Sequence, residues 1–366
     1  MDFRSLEKDL LEQIKSIVLK EMKAGRTVKE DKIEEMLNLM YSKKMIQQYA
    51  KPLYDSFISN APEMYEEHRL EKVEFEARLQ QRWLKAFYGL ESVITISEEA
   101  GMGIIDEYVE DKKREDGTYR IPIEYDVVFK LHAKSVVVSK EILTLLQAGY
   151  SDAGISRWRT LHEISVILGI FTFYLQNNEK MAKELAIRFY KRSIIEEYKI
   201  ERNEMEVDTK DFRSLSRENE KIKEEYGEKF IYENYEWLRP IFKKSKKRIF
   251  FSDLERKNKN TNLSKYYKMA NSQIHSTSFG LYDSFGDMGN SNTGAVYGPS
   301  NYGLSIPGQL TIISMISCTT SLLSLNTTLD KLTLITTLKM FFDQYSTIFD
   351  DIQRKIEEDE VNINEK

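Results

Sequence analysis

Two polar stripes on otherwise helical, apolar segments carry the residue types best suited to chemistry. Asp152, Ser156, Arg159 and Glu163 recur at steps of four, three and four residues, and His162 lies beside them. At about 100° of rotation per residue, those four share one narrow sector of a helix. Lys268, Asn271, His275 and Ser278 form the second stripe, at steps of three, four and three. If the two stripes face each other, one pocket collects Arg159, His162, Glu163, Asn271 and His275. An imidazole is the side chain best matched to proton transfer near neutral pH. A guanidinium is best matched to a phosphate or to negative charge that develops during a reaction. The set could therefore orient a phosphate or a ribose hydroxyl. The same residues have a plainer use: Arg159 and Glu163 are spaced as an i, i+4 ion pair, and a histidine on a core helix can simply tie that helix to its neighbour.

The elements that must position these stripes are helices. The chain has 366 residues, only 6 Pro and 16 Gly, and 41% hydrophobic residues, enough for a real core and for many uninterrupted helices. A single cysteine excludes an internal disulfide, and with four histidines it leaves no cluster for a zinc site of the usual ligands. No metal and no cofactor is expected. With 54 Lys plus Arg against 59 Asp plus Glu, the net charge of −5 argues against a globally basic nucleic-acid coat and leaves room for a local basic patch. The charged opening Met1–Asp9 has no apolar stretch of the export type. The apolar segments Ile142–Leu146, Ile164–Leu175 and Leu310–Leu325 are too short, or too broken by Ser and Thr, for a membrane span. A cytoplasmic protein without membrane contact is expected, with Cys318 as a reduced core thiol.

Apolar spacing predicts helices over about 2–24, 29–48 and 63–100, with Pro52 and Pro62 as punctuation and a charged loop at Asp111–Gly117. A helix over about 124–147 ends at Ala148-Gly149-Tyr150 and is followed by the helix that bears the first stripe. A charged helical block from Asn177 to about Asn262 holds the basic run Lys243–Arg248 and a loop near Val207–Lys210. A helix over 263–282 bears the second stripe. Residues 283–309, with six Gly, are expected to form a long Gly-rich loop that fits no phosphate-cradling pattern, and helices follow over 309–328 and 331–357. The expectation is an all-α multi-helix bundle: a charged helical region over 1–120, a bundle core over 121–357, and a flexible tail over 358–366.

The residues Ala148-Gly149-Tyr150, Ala153 and Trp158–Glu163, with the later Tyr267–Ser278, resemble an uncharacterised family of bacterial helical proteins. That family pairs an Arg-x-Leu-x-Glu helix with an Asn-x-x-x-His helix, and the resemblance covers about 125–345. The family is similar in outline to HEPN proteins, small helical bundles that include many metal-independent ribonucleases of toxin and antiphage systems, usually dimeric. Their hallmark is an Arg followed four to six residues later by His, a spacing that Arg157 and His162 meet.

The resemblance implies a metal-independent endoribonuclease. In that reading Arg157, Arg159, His162, Glu163, Asn271 and His275 are the catalytic set. His162 or His275 takes the ribose 2′-hydroxyl proton, and Arg157 or Arg159 stabilises the phosphate. Lys268, Ser278, Lys246, Lys247 and Arg248 would contact the RNA, and the chain would work as a homodimer. The alternative is a non-catalytic helical sensor, or a partner-binding component of a defence complex. There the charged N-terminal helices carry the interaction, and Arg159 and Glu163 hold the core together.

Overall fold

Helix follows helix along the chain, as the apolar spacing and the scarcity of Pro require. The computed structural model describes residues 4–112, 119–202, 210–243, 245–259, 261–275, 277–287 and 297–364. Among them there is no strand, and the fold is an all-α multi-helix bundle. The helices are α1 (Arg4–Lys23), α2 (Glu30–Met40), α3 (Lys43–Lys112), α4 (Ile123–Gln147), α5 (Ser151–Asn177), α6 (Glu179–Glu201), α7 (Lys210–Tyr226) and α8 (Glu228–Tyr232). After a 3-10 turn at Glu236–Ile241 come α9 (Phe251–Lys257), α10 (Ser264–Ile274), α11 (Ser278–Tyr282), α12 (Ser305–Leu323) and α13 (Leu329–Asn364).

The chain divides into two compact units, Met1–Phe75 and Glu76–Lys366, and the division lies within α3. The reason is the apolar content of the later part of that helix. Leu79, Trp83, Phe87, Leu90 and Ile94 recur every three or four residues and are buried, although charged residues surround them in the sequence. In the first unit Met40 is the one buried side chain among the described residues. Pro52 and Pro62 lie inside α3 instead of ending it. Each forgoes one N–H bond, and their turns are exposed, where water can satisfy the freed carbonyls.

In the second unit α5 is the central helix, packed by α4, α12, α10 and α6. Its entry is fixed locally. Gly149 takes a left-handed φ of 82°, the Tyr150 N–H bonds the Leu145 carbonyl at 2.9 Å and the Gly149 N–H bonds the Leu146 carbonyl at 3.0 Å, a Schellman closure of α4. Trp158, fully buried, donates its indole N–H to the Leu310 carbonyl at 2.9 Å and to Ser314 Oγ at 3.0 Å, and so pins α5 to α12. Helix α3 runs past the expected stop near Ala100 to Lys112. There Gly101 leaves room for the His132 ring, which a Cβ would meet at 2.6 Å.

Boundaries near the C-terminal end also differ from those expected. Helix α12 starts at Ser305, so Gly308 lies inside it, and Pro307 occupies its first turn, where a missing N–H costs nothing. Of the anticipated Gly-rich loop, 283–287 and 297–304 are non-helical, and 288–296 lie outside the described residues. Helix α13 continues to Asn364, beyond the expected end at 357. Helix α12 is also long and apolar enough to cross a membrane, although two thirds of it (67%) is buried inside the bundle. Cys318 on this helix is fully buried, which pushes its thiol up to about 12.

Candidate functional site

The polar sector of α5 is intact in three dimensions, and each of its charged members has a partner. Arg159 and Glu163 form the expected i, i+4 ion pair, at 2.8 Å. Tyr267 of α10 closes the pair into a triangle. Its hydroxyl accepts a hydrogen bond from the Arg159 guanidinium at 3.0 Å and donates one to Glu163 Oε1 at 2.6 Å. The guanidinium carbon also lies 5.1 Å from the centre of the Tyr267 ring, a cation–π distance. Burial, the hydrogen bond to Glu163 and its charge hold the Tyr267 hydroxyl well above its ordinary pKa, so it stays a donor. Tyr235 is raised in the same way, by burial first and then by Glu163. At the start of α5, Asp152 accepts the Phe285 N–H at 2.8 Å and the Ser284 hydroxyl, and so fastens the segment after α11 to the bundle.

His162 points deeper. Its side chain is 0% exposed, and its Nε2–H donates to Glu255 Oε1 of α9 at 2.9 Å. Glu255 is itself buried. Aromatic rings wall the imidazole: Trp158 stacks at 5.2 Å between centroids, Phe251 stands edge-on at 5.7 Å and Tyr267 lies at 5.8 Å. Among the described residues, His162 Nδ1 and Arg159 Nε are buried without a hydrogen-bond partner. The arrangement can hold α5, α9 and α10 together. It gives a substrate hydroxyl no open approach to the imidazole.

The other residues of the expected set are dispersed. Arg157 turns away from His162, because five residues rotate a helix by about 140°, and its guanidinium bonds Glu141 of α4. On α10, Lys268 is exposed and Asn271 is half-buried. Among the described residues no hydrogen bond joins Asn271 or His275 to Arg159, His162 or Glu163. The stripe breaks after Ile274, where α10 ends. His275 follows as an exposed cap residue, and Ser278 opens α11, also exposed. The cause is Thr277, whose hydroxyl accepts the Gly280 N–H at 3.3 Å and starts a new helix. The pair Thr277-Ser278 is the sequence signal that places this break.

The basic run is divided in the same manner. Lys246 is tied to the buried Asp253 at 3.0 Å. Lys247 and Arg248 are exposed, and the Arg248 guanidinium lies over the Phe250 ring at 5.3 Å. Lys244 lies outside the described residues. Sequence reasoning missed Tyr267, Glu255 and Tyr235 as members of the polar cluster. The signal for Tyr267 was the apolar side of α10, where a tyrosine can pack its ring and leave its hydroxyl for a partner. For Glu255 it was an acid placed directly after the apolar Leu254 and four residues after Phe251, one helical turn along the apolar side of α9.

Comparison with known proteins bears on the same segment. Residues 125–293 match the model of a family of unknown function (DUF5677). The DUF5677 segment begins in α4 and takes in α5 to α11, so it contains both polar stripes, in line with the uncharacterised family expected from them. It leaves out α12 and α13, although α12 packs directly on α5 and α4. No curated protein and no solved structure matches the chain.

Proposed function

We propose that this chain is a non-catalytic helical binding protein. In this reading the DUF5677 segment is part of a rigid core, and residues 1–75 carry the contacts with a partner protein. The carrying observation is the state of His162, sealed at 0% exposure and bonded to a buried Glu255. A general base must reach the proton it takes, and a buried, hydrogen-bonded pair with aromatic walls is a structural tie. The arginines point the same way, since each of Arg157 and Arg159 is committed to a carboxylate. The first unit supplies the contrasting surface. It exposes Ile17, Leu19 and Met22 on α1, Leu39 on α2 and a run of large apolar residues on α3. Exposed apolar surface of this extent marks an interaction site.

The decisive experiment incubates the purified chain with mixed single-stranded and structured RNA in EDTA. The expected outcome is no cleavage above that of His162→Ala, together with a lower melting temperature for that variant. Cleavage by the wild type that is lost in His162→Gln at an unchanged melting temperature would overturn the reading. It would favour the competing metal-independent endoribonuclease.

A further inference from the structure

The part of α3 within the first unit carries a seam that nothing in that unit covers. Ile46, Ala50, Leu53, Phe57 and Met64 follow alternating steps of four and three residues, with Asn60 as the one polar member. That is the 3.5-residue repeat of a coiled-coil seam. Tyr54, Ile58 and Tyr65 lie beside it and widen it to more than a quarter of the helix surface. All of these residues are exposed although α1 and α2 are present. Within one unit, a face this apolar is left without a core to join.

The charge along the same segment says what fits it. Residues 43–54 hold Lys43, Lys44 and Lys51 and no acid, whereas 55–75 hold six acids, Asp55, Glu63, Glu66, Glu67, Glu71 and Glu74, against two bases, Arg69 and Lys72. Two such segments side by side in opposite directions set the basic end of each against the acidic end of the other. In the same direction they stack like charge on like. We propose that a second copy of this chain covers this face, as an antiparallel pair of α3 segments about a twofold axis. The register that keeps the seam continuous sets Leu53 of each copy opposite Met64 of the other, and Phe57 opposite Asn60. The proposal rests on the reading of residues 1–75 as the interaction unit.

The test uses the full chain in sedimentation equilibrium with oxidative cross-linking. The wild type sediments as a dimer. Leu53→Glu with Phe57→Glu sediments as a monomer with its helical circular dichroism retained. If that variant does not fold, the triple reversal of Lys43, Lys44 and Lys51 to Glu, which leaves the apolar seam in place, weakens the dimer instead. Leu53→Cys mixed with Met64→Cys gives a disulfide-linked dimer that neither variant gives alone; the native Cys318 is buried and does not compete. A wild type that stays monomeric overturns the proposal, even if another protein then seats on this face. So does a dimer indifferent to all these charge substitutions, and so does preferential self-linking of Leu53→Cys, which denotes a parallel pair. The two readings fail separately. A monomeric wild type removes self-pairing and leaves the non-catalytic reading, whereas RNA cleavage dependent on His162 does the reverse.

Discussion

Helices α5 and α10 pack against each other, and each carries polar side chains at helical spacing, yet the two stripes live in different solvents. Fourteen residues of α5 are buried, so a polar group there has lost water on most sides. On α10 only Ala270 is buried. On the first helix every charged member of the stripe is answered by a group from elsewhere. Asp152 meets the Phe285 N–H, Arg159 and Glu163 meet Tyr267, and His162 meets Glu255. On the second, Lys268 and His275 face water and need no partner. Desolvation makes the difference, because an uncompensated buried charge costs several kcal/mol and an exposed one costs nothing. Spacing alone does not separate a reactive cluster from a structural tie; the burial of the helix that carries it does.

The largest effect should come from unpairing the deepest contact. His162→Ala or Glu255→Ala leaves one member buried alone, beside a new cavity, and should lower unfolding stability by about 3–5 kcal/mol in urea titration. The double variant His162→Phe with Glu255→Leu removes both polar groups at similar volume and should recover most of that loss. If either single variant is as stable as the wild type, α5 is not the closed structural element described, and its contrast with α10 collapses.

A second buried histidine adds a pH dependence. His132 is buried and shares a hydrogen bond with Thr319 at 3.2 Å. Burial lowers its pKa to about 4, from an ordinary value of 6.5. Between those values the unfolded chain binds a proton that the folded chain refuses, so stability rises with pH across the window and is lost as pH falls from about 6.5 to 4. By linkage the loss is about 3 kcal/mol. Chemical denaturation of the wild type and His132→Gln at pH 7 and pH 4.5 should show the gap between them narrowing or reversing at the lower pH. A constant gap would mean that the imidazole is protonated equally in both states.

The apolar periodicity of the chain made the all-α class legible, along with the turn at Gly149 and the Arg159–Glu163 pair, because those depend on residues close in sequence. Partners at long range were not legible. Tyr267 is 108 positions from Arg159, and Glu255 is 93 from His162, separations that only tertiary packing resolves. The extra turns of α3 past Gly101 escaped for the same reason: a glycine that reads as a stop is there because His132 comes against it. The buried apolar ridge of α3 over 79–94 was hard to read because charged residues surround it in the sequence.

The Tyr267 hydroxyl gives a smaller and more discriminating effect. Tyr267→Phe keeps the ring stacked on Phe251, at 4.5 Å between centroids, and removes only the bridge between Arg159 and Glu163. Hydrogen bonds to charged groups contribute about 1.5–3 kcal/mol, and the pair is about a quarter exposed (27% and 24%), so the lower part of that range applies. A loss of about 1–2 kcal/mol in thermal or urea unfolding is expected. A loss near zero would mean that water replaces the hydroxyl, and α10 would then be held by its apolar contacts alone.

The smallest effects belong to the exposed stripe. Lys268→Ala and His275→Ala each remove a side chain that faces water. Folding stability should stay unchanged within the error of the measurement. The value of the pair lies in what else could change. If the chain binds a nucleic acid through α10, both variants should weaken binding in a fluorescence-polarisation titration, and the salt dependence should become shallower for Lys268→Ala as one phosphate contact is lost. If α10 serves only to present Tyr267 to α5, neither variant alters any binding curve. A change in stability without a change in binding would contradict both, since it would require a contact for Lys268 or His275 that the exposed surface of α10 does not supply.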